Sequence, residues 1–253
     1  MGRTLDRLLQ TRALRLWRAR AAAAQATPLA ELRAQRSQAR ALAEPLNRLI
    51  HTAEGRLALP AIGSDSFPRP HDTDWFWRPE LWRGRLPVPG LAAAPNKAML
   101  GAEVTLFHDC RRSELTLRQT RNLRESDLAP FGLQMDVFRF DGSFLSLVVD
   151  LPGAAVAGLR REHLLRLGAI IETERPIEIF ARLNIRHGPN TEQLVRELPH
   201  DAPGTLVEFD LAYSRLNEKR VERAWLDLIF ETPDMNQVTL RDLTFARYRR
   251  AAL

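Results

Sequence analysis

The sequence predicts a mainly β fold, an antiparallel jelly-roll-like β-sandwich preceded by an N-terminal basic helical segment. Three observations predict it. From Glu103 to Tyr248, short runs of alternating apolar and polar residues recur between turn signals with little helical periodicity, the pattern of half-buried antiparallel strands. Between Ile177 and Arg186 the odd positions are all apolar and the even ones, apart from Phe180, are charged or polar, so one face is core and the other wet. Residues 1–56 hold eleven arginines against four acids, while the whole chain carries only +6, so the basic character belongs to the N-terminal segment.

Residues 1–58 read as the basic helical segment. Thr4 is expected to cap a first helix in which Leu5, Leu8, Leu9, Ala13, Leu16 and Trp17 recur at helical spacing, and the alanine-rich run to Gln25 favours its continuation. Pro28 breaks it. A second stripe follows (Leu29, Leu32, Ala39, Leu42, Leu46, Leu49, Ile50), with Pro45 expected to kink or split the helix and Gly55 and Pro60 to end it. Residues 59–100 read as a Pro/Trp-rich strap, where seven prolines exclude regular helix and central strand while Trp75, Trp77 and Trp82 argue against disorder. Residues 101–253 are expected to form the sandwich, with strands near 103–109, 114–121, 132–140, 144–150, 164–173, 177–185, 193–198, 205–212, 224–230 and 238–248. Turn chemistry falls at Asp141-Gly142, Leu151-Pro152-Gly153, His187 to Asn190, Pro199 to Gly204 and Pro233-Asp234, and Asp141-Gly142 is the strongest hairpin signal.

The single cysteine, Cys110, excludes an intrachain disulfide and a multi-cysteine zinc site and fits a reducing compartment. No apolar run approaches the ~20 residues of a membrane span, and no signal-peptide pattern opens the chain, so a cytoplasmic setting is expected. Phosphate loops, GxSxG, HExxH and Walker sequences are absent, and the expectation is no catalytic residue, no cofactor and no metal. His108, Asp109 and Cys110 alternate across a strand and cannot converge without a bulge, and His71, Asp72 and Asp74 lack a ligand spacing. Glu172 and Glu174 share a strand face about 7 Å apart, which suits either a glycosidase carboxylate pair or a solvated face.

Tryptophan faces stack on sugar rings while charged groups and amides orient the hydroxyls. Trp75, Trp77 and Trp82 are therefore candidate ligand contacts, with anchoring of the strap as the alternative. On the sheet, Glu178, Arg182 and Asn184 project from one strand, with Arg118, Asp136, Trp225 and Asp227 as neighbours on others; such a face is either a shallow carbohydrate groove or a solvated lattice of ion pairs. The basic helices suit an anionic membrane surface, a partner helix, or a cover for the β-domain. Nucleic acid is not expected as a partner, because aromatic interleaving is missing.

The stretches Val207 to Leu211, Trp225 to Glu231 and Val238 to Phe245 resemble the closing strands of jelly-roll carbohydrate-binding modules, which implies a noncatalytic sugar-binding fold without assigning any ligand residue. The residues Leu59 to Asp65, Asp74-Trp75, Trp82-Arg83-Gly84, Val104 to Cys110, Leu183 to Asn190 and Tyr213 to Arg220 make the whole chain similar to an uncharacterised alphaproteobacterial family, a domain of unknown function. That likeness implies a bacterial cytoplasmic setting and no particular activity. The functional expectation is a noncatalytic binding module for a glycan or glycosylated partner. Two alternatives stand beside it: an interaction protein docking to a membrane surface or partner through its helices, and a glycoside hydrolase-like enzyme.

Overall fold

The computed structural model describes the backbone of residues 2–62, 67–199 and 204–250, and the side chains of 9–50, 52–53, 67–199 and 204–250. The turn expected between Pro199 and Gly204 lies largely outside the described residues. The chain divides into two compact units, Met1–Ile50 and His51–Leu253.

Two helices, α1 (Gly2–Ala23) and α2 (Leu29–Ile62), are separated by a turn ending at Pro28, where proline was expected to break the helix. Two local expectations fail. Helix α1 begins before Thr4, which lies inside it and is not its cap, and α2 is not split at Pro45 and does not end at Gly55 or Pro60. A proline removes one backbone hydrogen bond, and good helix formers on either side carry the helix across it.

The second unit is a two-sheet antiparallel sandwich. Its strands are β1 (Thr73–Trp77), β2 (Gly90–Ala92), β3 (Ala98–Leu100), β4 (Val104–His108), β5 (Glu114–Arg121), β6 (Phe131–Arg139), β7 (Leu145–Asp150), β8 (His163–Thr173), β9 (Ile179–His187), β10 (Asn190–Glu197), β11 (Thr205–Asp210), β12 (Val221–Phe230) and β13 (Asn236–Arg249). The first sheet has the order β11-β8-β13-β6-β5-β2, with β1 on the second half of β13; the second has the order β10-β9-β12-β7-β4-β3. All ten strands read from the alternation are present, and β1, β2 and β3 come from the Pro/Trp-rich stretch. Inward residues of both sheets, among them Leu106, Leu147, Leu183 and Leu226 from one and Leu117, Met135, Leu167 and Leu240 from the other, form one buried core.

The Asp141-Gly142 turn is not a hairpin. Strand β6 pairs with β5 and β13, whereas β7 pairs with β4 and β12, so the chain crosses here from one sheet to the other. Gly142 is present for close approach: a Cβ on it would lie 2.5 Å from Asp109 Oδ1, the carboxylate oxygen that accepts from the Ser143 and Phe144 N–H groups. The tight hairpin is the Gly188-Pro189 turn, with Gly188 at φ 61° and His187 opposite Asn190.

The strap is pinned by buried groups. Trp82, wholly buried on the short helix α3 (Glu80–Arg83), donates its Nε1–H to Leu240 O at 2.9 Å. Arg78 grips Asp242 with two bonds of 2.8 Å, and both side chains are buried. The β-bulge between Leu240 and Asp242 places the Asp242 backbone within the pairing against β8.

Candidate functional site

Cross-strand register on the outer face of the second sheet brings together side chains that are far apart in sequence. One row runs Val195, Arg182, Asp227, Val148, Thr105; the next toward one end runs Gln193, Asn184, Trp225, Asp150; the next toward the other runs Phe180, Ile229, Ser146, Phe107. Between them lies a groove of about 410 Å³ lined by residues of β4, β7, β9 and β12, with Phe144 at its rim.

The polar centre of the groove is Asp227, buried to 4% exposure. Its Oδ2 accepts from Arg182 Nε at 2.8 Å, Arg182 Nη2 at 2.6 Å and Asn184 Nδ2 at 3.1 Å, and Asn184 Oδ1 in turn accepts from Gln193 Nε2 at 2.9 Å. The three contacts to Asp227 fall on one carboxylate oxygen; Asp227 Oδ1 has no hydrogen-bond partner among the described residues. The chain thus fixes an acceptor in place and leaves half of it unused. Trp225, the next outward residue on β12, is half-buried, and the Arg223 guanidinium lies 4.7 Å from its ring centroid. Asp150 stands opposite Trp225 and is exposed. The Ser146 hydroxyl is buried beside Phe107 and Phe144 without a hydrogen-bond partner among the described residues.

The ten residues singled out from sequence divide between several places. Arg182, Asn184, Trp225 and Asp227 converge at this groove or its immediate support. Glu178 has the same parity but precedes the first residue of β9 and is exposed at the sheet end. Arg118 and Asp136 do not join them, because β5 and β6 belong to the other sheet and turn these side chains to the opposite outer face. Burial pushes the Asp136 carboxyl up, but hydrogen bonds from Gln134, Gln237 and Thr116 and the nearby Arg118 charge outweigh it and hold it below the usual carboxylate range. That carboxylate is saturated by its neighbours.

Trp82 is corrected to an anchor, since a fully buried ring offers no face to a ligand. Trp75 and Trp77 stand opposite the inward Arg247 and Phe245, pack against the core, and stack on each other with centroids 6.4 Å apart. The outward aromatic of β1 is Phe76, covered by Arg69 at 3.9 Å. Glu172 and Glu174 do not form a free carboxylate pair: Glu172 is bound by Arg124 and faces Arg241, and Glu174 lies beyond the end of β8. Among the described residues no group of three or more His, Cys, Asp or Glu is placed to hold a metal ion. The groove residues Phe107, Phe144, Ser146, Asp150 and Arg223 were not singled out; the parity of Ser146, Val148 and Asp150 along β7 was their only sequence signal.

Residues 1–253 match a family of unknown function, DUF6478, along the whole chain. The protein is a member of that family. No curated protein matches it. Among solved structures, this DUF6478 member is similar to the enzymatically active domain of tailspike protein 4 from bacteriophage CBA120, at 7% identity and TM-score 0.40, over 62% of this chain and 21% of that one. It is also similar to the family 11 carbohydrate-binding module of Clostridium thermocellum, at 11% identity and TM-score 0.39, over 62% and 95% of the two chains. A third is the CBM22-1 xylan-binding domain of Paenibacillus barcinonensis Xyn10C, at 10% identity and TM-score 0.38, over 64% and 94%. The fold rests on the sheet pairing described above, and the functional reading rests on the groove.

Proposed function

We propose that the chain is a noncatalytic binding module whose groove on the β10-β9-β12-β7-β4-β3 sheet takes a polyhydroxylated, glycan-class ligand. The observation that carries this reading is Asp227: a buried carboxylate positioned through one oxygen by Arg182 and Asn184, with its other oxygen unbonded among the described residues beside a half-buried indole. Sugars present an apolar ring face to stack and hydroxyls to donate, and Trp225, Asp227 and Asp150 supply one partner for each. Asp150 and Asp227 are diagonal neighbours on β7 and β12, about 7–8 Å apart along the backbone and somewhat less at Cβ. With Asp227 committed to the Arg182 guanidinium, the pair serves as two acceptors and not as an acid and base.

The test is a glycan-array screen of the full chain, followed by titration of the best ligand against Trp225→Ala and Asp227→Asn. Loss of one stacking or charged contact is worth about 1–2 kcal/mol, so each variant should bind about ten-fold more weakly. No ligand on the array, or wild-type affinity in both variants, rejects the groove. Release of new reducing ends from a bound glycan favours the hydrolase instead.

A further inference from the structure

We infer that the α1–α2 unit is a docking surface for an anionic lipid bilayer, separate from the glycan groove. On α2 the residues Leu32, Gln35 and Ala39 are half-buried, and the same stripe continues as Leu42, Leu46, Leu49 and Ile50, which are 46%, 55%, 65% and 48% exposed. At helical spacing these last four fall within a sector about 100° wide. Leu9 and Leu16 on α1, 57% and 49% exposed, are apolar and equally uncovered. A soluble two-helix unit has no reason to leave six large apolar side chains in water when charged ones would serve.

Charge decides between a bilayer and a second copy. Arg36 is exposed on the flank of the α2 stripe, Arg40 and Arg33 follow further round that side of the helix, and Arg12, Arg15 and Arg18 are exposed on α1; none has a hydrogen-bond or ion-pair partner among the described residues. Opposite charge on these helices is scarce: Glu44 pairs with Arg48 at 2.6 Å, while Arg20 donates to the neutral amide of Gln38 at 3.1 Å. A second copy would bring the same excess of positive charge, eight arginines against Glu31 and Glu44 within residues 9–50. Lipid phosphates pair with guanidinium groups while the leucines enter the acyl boundary. No helix among the described residues is long and apolar enough to cross a membrane, so the contact is interfacial.

The experiment is co-sedimentation of the full chain with vesicles of phosphatidylcholine alone or mixed with phosphatidylglycerol, beside size-exclusion light scattering. Binding to the mixed vesicles should exceed that to phosphatidylcholine by about ten-fold or more. It should fall as salt rises from about 0.1 M to about 1 M, where the Debye length shortens from about 10 Å to about 3 Å. Leu46→Glu with Leu49→Glu should lose it, and so should the triple change of Arg33, Arg36 and Arg40 to Gln, which leaves the apolar stripe intact. Trp225→Ala should bind vesicles like the wild type, which keeps this outcome independent of the groove. Equal sedimentation with both vesicle types overturns the inference, and so does undiminished binding by either stripe or arginine variant. A dimer that Leu46→Glu dissociates also overturns it, because the stripe then belongs to a second copy.

Discussion

Replacing Arg78 with Met tests whether the strap is held by its buried ion pair. The Arg78 and Asp242 side chains are 1% and 9% exposed and joined by two 2.8 Å bonds, so solvent screening does little to weaken the pair. Burial pushes the Asp242 carboxyl up, and Arg78 with the Leu243 N–H pulls it partly back. Removing the guanidinium leaves a buried carboxylate without its cation, a change that costs about 3–5 kcal/mol. At roughly 2–4 °C per kcal/mol for a domain of this size, the melting temperature at neutral pH should fall by about 6–20 °C. The loss depends on pH. With Arg78 gone, the folded-state carboxyl is raised further above its unfolded value near 3.9. Its favourable protonated form is therefore fully present below that value, and stability is lost as pH rises through the folded value. Calorimetric melts of wild type and variant should differ most at neutral pH and converge in acid. Arg78→Met combined with Asp242→Leu, which removes both charges, should recover most of the neutral-pH loss. A single variant melting within about 2 °C of wild type at neutral pH, against the shift expected for this domain size, would refute the clamp.

Two further outcomes follow from particular side chains. Trp82→Ala should cost about 3–5 kcal/mol by denaturant melts, through the cavity and the unmet Leu240 carbonyl, while leaving the affinity of any groove ligand unchanged. Burial first, and then the hydrogen bond to Glu208, push the Tyr248 hydroxyl up to about 12; ultraviolet titration should find one tyrosine ionising there, and Glu208→Gln should move it back toward the ordinary value near 10.

The strands were legible because alternation is a local property: each outward charge and inward leucine reports its own burial, and all ten expected strands are present. Which sheet a strand joins is not local. Asp141-Gly142 carries the chemistry of a hairpin, yet the same two residues serve a crossover once Asp109 arrives from β4's end to fill the space a Cβ would need. The same limit scattered the candidate site. Alternation placed Arg118, Asp136, Arg182 and Asp227 on wet faces, and only the pairing reveals that the first two and the last two face opposite ways. The tryptophan cluster misled for a related reason. A proline-rich segment needs anchors and also suits a ligand loop, and the Leu240 carbonyl that receives the Trp82 indole lies 158 residues away in the chain.

The most direct test of the groove is a titration read at the indole N–H signals. The chain has five tryptophans, so the Nε1–H region of a ¹H–¹⁵N spectrum should hold five resonances, with Trp225 assigned by its loss in Trp225→Phe. On addition of the best glycan from the array, the Trp225 signal should shift in proportion to occupancy, while those of Trp17, Trp75, Trp77 and Trp82 stay in place. Shifts confined to Trp75 and Trp77, with Trp225 unmoved at saturation, would place the ligand on the strap and contradict the groove.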